Sequence, residues 1–366
     1  MHLIKEILTG VKCTDNNMTK KQQLKRRAAK RRAARKRRII RQMIIVTMSI
    51  LMVIILSLLV FSFTKLRRKA SYAVSDYEKK NYISSVVDKE YMSKDLCVTD
   101  ENVSISGFSG LDGVHGEALF DVTDKKVIYA DNIFEKLYPA STTKILTTYV
   151  TLKYGNLDDI VTVSSHAVDM PFDAQVCDLR EGDKITLYDL LSGLMLYSGN
   201  DAAIAIAEHI SGSTEEFVEL MNEEAKKLGA TGTHFVNPHG LHDDNHYTTV
   251  YDLYLIFNEC LKYKDFKEIY SHKSYTGKVT GIDGEERNIT WVPTNQFSSG
   301  ESVIDSDFEN NGGKTGTTMK AGACLVLSST YKNGKECISI VMGAKDKPEL
   351  YDAMNQLLEA SENELN

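Results

Sequence analysis

The chain has 366 residues, 26% of them charged and 42% hydrophobic, with a formal net charge of -6. That length accommodates one large α/β domain or two ordinary ones. Residues 1 to 69 hold nineteen basic and two acidic side chains, so the other 297 carry -23, which argues against a body that binds DNA or anionic lipid nonspecifically.

The N-terminal 41 residues form a basic arm, with thirteen Lys or Arg and no acid between positions 20 and 41. An apolar run from Met43 to Phe63 follows, and twenty-one residues at about 1.5 Å each span roughly 30 Å, enough to cross a bilayer. Four basic residues on its far side, Lys65, Arg67, Arg68 and Lys69, are outnumbered by the arm. The imbalance predicts a signal-anchor helix over 42–64, with the N-terminus cytoplasmic and the body outside the cell membrane. Cleavage near Ser71-Tyr72-Ala73 is the competing reading, disfavoured by the length of the apolar run. The arm has no interleaved aromatic for base stacking, so a lipid-facing orientation signal is expected there, and no nucleic acid.

Residues 65–95 are expected to be a stalk, 96–360 the compact domain and 361–366 a C-terminal tail. Glu117 to Ala130 alternates around Asp124-Lys125-Lys126 and predicts a hairpin. Ile145, Leu146, Tyr149 and Leu152 share a helical face after Ser141, and residues 201–210 predict a buried, alanine-rich helix. Ser213 with Glu216 opens a helix through Leu228, and Thr249 with Asp252 opens another through Leu261. Strands over 323–329 and 337–342 join through Asn333-Gly334, a strong turn signal, and a last amphipathic helix covers 349–359. Sheet, helices, sheet, helix in that order predicts one domain whose antiparallel sheet is completed by distant segments. The six cysteines, at 13, 97, 177, 260, 324 and 337, form no CxxC, and none is assigned to a disulfide or to catalysis.

Three short pieces carry the chemistry. Ser141-Thr142-Thr143-Lys144 places a hydroxyl in the first turn of a helix, near free N–H groups, with an amine three residues on along the same face. For that amine to act as a base near neutrality its pKa must fall by about 3 units from 10.4, some 4 kcal/mol, and burial beside a second ammonium, Lys314, would push it that way. Ser198-Gly199-Asn200 precedes the buried helix, where Ser198 could relay a proton and Asn200 could hold Lys144 or the substrate carbonyl. Lys314-Thr315-Gly316-Thr317 precedes a strand, and offers a cation and two hydroxyls to a carboxylate and a glycine to a close backbone. The N–H groups of Ser141 and Thr317 are the expected oxyanion hole.

In this order and spacing the triplet resembles the penicillin-binding-protein and serine β-lactamase superfamily. More closely it is similar to the low-molecular-mass D-alanyl-D-alanine carboxypeptidases, through YPASTTKILT at 138–147, LREGDKITLYDLLSGLMLYSGNDAAIAIAE at 179–208, THFVNPHGLHDDNHYTTVYDL at 233–253 and GGKTGTTMKAGACLV at 312–326. The resemblance implies an α+β, β-lactamase/transpeptidase-like fold, an antiparallel sheet flanked by helices with an additional helical region. It also implies a serine carboxypeptidase that removes the terminal D-alanine of peptidoglycan stem peptides through an acyl-enzyme on Ser141, and is acylated by β-lactams. Most members add a small β-rich domain and a C-terminal amphipathic anchor, for which this sequence leaves no room, so the N-terminal helix is expected to serve as anchor.

No cofactor or metal is expected. The alternatives are a DD-transpeptidase or endopeptidase using the same residues. A class A β-lactamase is disfavoured because residues 229–245 contain no Glu. A zinc peptidase on His239, His242, Asp243 and His246 is disfavoured because no H-E-x-x-H is present. A non-catalytic wall-binding scaffold would be expected to lose Ser141, Lys144 or Lys314, and all three are present.

Overall fold

A computed structural model describes residues 92–366 throughout and, before them, only positions 25, 27, 30–37, 39, 40, 42, 43, 47, 48, 52 and 57, all helical. The chain divides into two units, Met1–Glu90 and Tyr91–Asn366. Among the described residues no helix is long and apolar enough to cross a membrane, and most of the expected 42–64 span and of the stalk lies outside them.

The second unit begins with a 3-10 turn, Met92–Asp95, and its first strands form an antiparallel hairpin, β1 (Gly116–Asp121) and β2 (Lys126–Asp131). A 3-10 turn, Ala140–Thr143, runs into helix α1 (Lys144–Tyr154). Strands β3 (Ile160–Thr162) and β4 (Lys184–Thr186) are short, and helix α2 (Leu187–Ser192) continues through a π turn to Tyr197. Four longer helices follow: α3 (Asn200–Ser211), α4 (Thr214–Lys227), α5 (Val250–Cys260) and α6 (Lys264–Ser271). Ser213 Oγ accepts from Glu216 N at 3.1 Å and Thr249 Oγ1 from Asp252 N at 3.0 Å, so side-chain caps set where α4 and α5 begin. The chain then forms β5 (Tyr275–Thr280), β6 (Glu286–Trp291), β7 (Phe308–Thr318), β8 (Gly322–Tyr331), β9 (Glu336–Ala344) and helix α7 (Lys347–Leu365).

The main sheet has order β2-β1-β9-β8-β7, with every neighbouring pair antiparallel. Its strands alternate between two cores. Phe120, Val326, Ile338, Ile340 and Met342 face the helical region, whereas Leu119, Leu325, Leu327 and Val341 face α7. Both faces are thus dry, and the strands are apolar along most of their length. The sheet joins the first hairpin to the last three strands, as the sheet–helix–sheet order requires.

Two features depart from expectation. A second antiparallel sheet, β3-β4-β5-β6, packs beside α2, and its alternating pairs Tyr275–Thr280 and Glu286–Trp291 had carried the signal. The final helix covers 347–365 rather than 349–359, so 361–366 is not a tail. Ser361 and Leu365 continue the apolar face of Leu357 and Leu358, and all four are fully buried.

Candidate active site

The segment before Ser141 is pinned by a two-way backbone pair between Leu137 and Thr248, at 2.8 and 2.9 Å. Ala140 then takes φ +47°, a left-handed conformation that costs an alanine energy, and turns the chain into the 3-10 start of α1. Ser141 is partly exposed there, while Lys144, one turn on, is completely buried.

Lys144 Nζ has three neighbours at hydrogen-bond distance: Ser141 Oγ at 3.0 Å, Asn200 Oδ1 at 2.7 Å and the His239 carbonyl at 2.6 Å. Burial drives its pKa well below the ordinary lysine value, and the positive charge of Lys314 lowers it further. Lys314 is also completely buried; its Nζ donates to Ser198 Oγ at 2.9 Å and to the Thr315 carbonyl at 3.0 Å. Burial brings Lys314 down to about 7.

Ser198, like Ala140, is a left-handed non-glycine, at φ +68°, held where the π turn meets α3. Gly199 is required by packing, since a Cβ there would lie 2.2 Å from Cys177 Sγ and 2.8 Å from Asp201 Oδ1. The Asp201 carboxylate in turn accepts the Cys177 and Leu179 N–H groups, and Asn200 N donates to Gln175 O at 2.8 Å. Chain 175–179 is therefore strapped across the back of the Ser198–Asn200 turn.

Strand β7 closes the opposite side. Gly316 approaches the start of α1 so closely that a Cβ would meet Ser141 N at 2.7 Å and Thr142 N at 2.9 Å. Thr315 Oγ1 shares a 2.6 Å bond with Thr294 Oγ1. Thus Ser141, Lys144, Ser198, Asn200 and Lys314 form one connected cluster, with Thr315, Gly316 and Thr317 along its edge strand.

Several residues of the site carry no side-chain chemistry by which a sequence reading could single them out. The His239 carbonyl is a backbone group, and any residue type supplies one. Ala140, Gly240, Asp201 and Cys177 act through shape or backbone bonds. Of the imidazoles in the disfavoured zinc reading, His246 is engaged at both nitrogens, Nδ1 by Val236 N and Nε2 by Thr143 Oγ1, and His239 Nδ1 accepts from Leu241 N at 3.1 Å. Among the described residues no group of three or more His, Cys, Asp or Glu side chains converges in a way that could hold a metal ion. Burial lowers both imidazoles, His239 to about 3 and His246 to about 4.

Solved structures share this architecture. The Streptomyces K15 DD-transpeptidase superposes with TM-score 0.63 and 31% identity over 71% of this chain and 98% of its own. Penicillin binding protein 5 from Haemophilus influenzae superposes with TM-score 0.60 and 31% identity over 71% of each chain. The fold is the α+β, β-lactamase/transpeptidase-like one.

Residues 115–346 match the model of the peptidase S11 family, D-alanyl-D-alanine carboxypeptidase, and the chain belongs to that family. The D-alanyl-D-alanine carboxypeptidase DacF of Bacillus subtilis (strain 168) is 35% identical over 241 residues, 64% of this chain and 58% of its own. DacC of Escherichia coli (strain K12), also a D-alanyl-D-alanine carboxypeptidase, is 36% identical over 250 residues, 66% of this chain and 59% of its own. The matched region thus spans under three fifths of the length of these curated relatives.

Proposed function

We propose that the protein is a serine D-Ala-D-Ala carboxypeptidase that trims the terminal D-alanine from peptidoglycan stem peptides and is acylated by β-lactams. The observation that carries this reading is the surroundings of Lys144 Nζ. A neutral amine has two N–H donors and one lone pair. Its two shortest contacts, to Asn200 Oδ1 and the His239 carbonyl, go to pure acceptors and use both donors. The lone pair is then left for the Ser141 hydroxyl, 3.0 Å away, which is what a general base requires.

In the reaction, Ser141 Oγ attacks the carbonyl of the penultimate D-alanine as its proton passes to Lys144. The Ser141 and Thr317 N–H groups hold the oxyanion. Ser198, hydrogen-bonded to Lys314, relays a proton to the departing D-alanine amine as the C–N bond breaks, leaving an ester on Ser141. Water, deprotonated by Lys144, then cleaves that ester and frees the serine. Lys314 is sealed from solvent, so its charge acts on the substrate carboxylate as a field, while the hydroxyls of Thr315 and Thr317 supply direct contacts. The uncut apolar run 42–64 anchors the domain outside the cell membrane, and no nucleic acid, cofactor or metal takes part.

A DD-transpeptidase is the second reading, because the Streptomyces K15 relative bears both names, DD-transpeptidase and D-alanyl-D-alanine carboxypeptidase. Incubation of the protein with a peptide ending in D-Ala-D-Ala, with and without an amine acceptor, tests both. Free D-alanine without a cross-linked product supports hydrolysis, and predominant cross-linked product moves the assignment to transfer. Labelled penicillin should mark the wild type and not Ser141→Ala; persistent labelling removes Ser141 from its role.

A further inference from the structure

His246 lies 105 positions beyond the proposed nucleophile, yet two hydrogen bonds in series connect it to the carbonyl of the peptide group that carries the Ser141 N–H. The imidazole is 2% exposed, with its ring edge-on to Phe235 at 5.1 Å, so its orientation is fixed. Nδ1 accepts the Val236 N–H at 3.1 Å. A neutral imidazole that accepts at Nδ1 carries its proton on Nε2, and that N–H faces Thr143 Oγ1 at 2.8 Å.

The tautomer decides where the threonine proton goes. A hydroxyl has a single proton, and Thr143 Oγ1 already accepts from His246, so its own O–H is given to the Ala140 carbonyl at 2.7 Å. With the opposite tautomer the threonine would donate to the ring, and the Ala140 carbonyl would lose that donor. This carbonyl belongs to the strained φ +47° residue. Gly240, itself at φ +91°, packs against it so closely that a Cβ would stand 1.9 Å from the oxygen. Asn237 holds Gly240 in place, its Oδ1 accepting Gly240 N at 2.7 Å.

The Ala140 carbonyl and the Ser141 N–H are two ends of one peptide group. A donor on the carbonyl draws charge through the amide and makes the N–H at the other end a stronger donor. We propose that His246 is a positioning residue which, through Thr143 and the Ala140 carbonyl, orients and polarises the Ala140–Ser141 peptide so that its N–H holds the oxyanion. The role rests on the reading of Ser141 N–H as an oxyanion donor.

The test compares His246→Ala with His246→Gln, and Thr143→Val with Thr143→Ser. Glutamine can accept at one amide atom and donate from the other, as the imidazole does, and serine keeps the hydroxyl that valine lacks. Removing an oxyanion donor outright slows an acyl transfer by about 10²–10³-fold, so weakening one is expected to slow acylation about tenfold. Acylation by labelled penicillin and kcat for the D-Ala-D-Ala peptide should fall by that factor in His246→Ala and Thr143→Val, with KM unchanged. Affinity for a peptide boronate, whose tetrahedral adduct places an oxygen in the hole, should fall in parallel. His246→Gln and Thr143→Ser should recover most of the loss, and the alanine–valine double variant should be no slower than either single one.

Wild-type acylation in folded His246→Ala, or no recovery in His246→Gln, overturns the proposal. If His246→Ala does not fold, the Thr143 pair decides by the same criterion. Labelling that persists in Ser141→Ala, by contrast, removes the underlying enzymatic reading itself.

Discussion

Lys314 Nζ donates to Ser198 Oγ at 2.9 Å, joining an edge strand to a loop 116 residues earlier in the chain. The bond puts a second buried amine beside Lys144, and two such amines titrate as a pair. Burial and the Lys314 charge hold Lys144 well below its ordinary value, and Lys314 comes down to about 7.

Acylation should therefore follow a bell against pH. It rises as Lys144 loses its proton and can accept one from Ser141, and falls above about 7 as Lys314 loses the charge that attracts a carboxylate. Lys314→Gln removes a neighbouring positive charge, which raises the Lys144 pKa and shifts the rising limb to higher pH. Labelled penicillin read from pH 4 to 10 gives both profiles. A rising limb that stays put or moves to lower pH contradicts the pairing.

Gly199 should tolerate no side chain while Cys177 is present. Gly199→Ala would set a Cβ 2.2 Å from Cys177 Sγ, an overlap that costs about 1–3 kcal/mol and displaces Ser198 and Asn200. Acylation is expected to drop at least tenfold. Adding Cys177→Gly vacates the space of the sulfur and should restore part of the rate. Equal loss in the single and double variants would show that the contact does not govern the turn.

The sequence made the reactive groups legible because few side chains can do their work. A hydroxyl, a lysine three residues on, a polar loop and a basic strand edge are constrained in type as well as spacing. Their supports are not so constrained. The His239 carbonyl that takes Lys144 is anonymous in a sequence, and the left-handed Ala140 and Ser198 occupy a conformation that composition assigns to glycine. The hairpin Ala323–Met342 was visible from Asn333-Gly334, whereas the three-residue strands at 160–162 and 184–186 fall below the length at which alternation can be told from chance.

The end of α7 should contribute to stability. Leu365 is fully buried, and its carbonyl accepts from Asn333 Nδ2 at 2.9 Å, which ties the last turn to the β8–β9 hairpin. Leu365→Ala is expected to cost about 2–5 kcal/mol, the range for truncating a buried leucine. Denaturant titration measures it, and an unchanged midpoint would mean that this turn frays in solution.

Glu117 gives a pH dependence of stability separate from that of catalysis. Its Oε1 accepts from Tyr129 Oη at 2.9 Å and Leu111 N at 3.1 Å, while Oε2 is buried without a partner. Burial raises its pKa from 4.5 to about 7. The folded state therefore binds the proton more tightly than the unfolded state does, so between about 4.5 and 7 stability falls as pH rises. A shift of that size corresponds to at most about 3 kcal/mol lost by pH 8. Glu117→Gln cannot ionise, so its Tm should decline less between pH 5 and pH 8 than that of the wild type, by several degrees. Parallel declines in the two proteins would place the titrating group elsewhere.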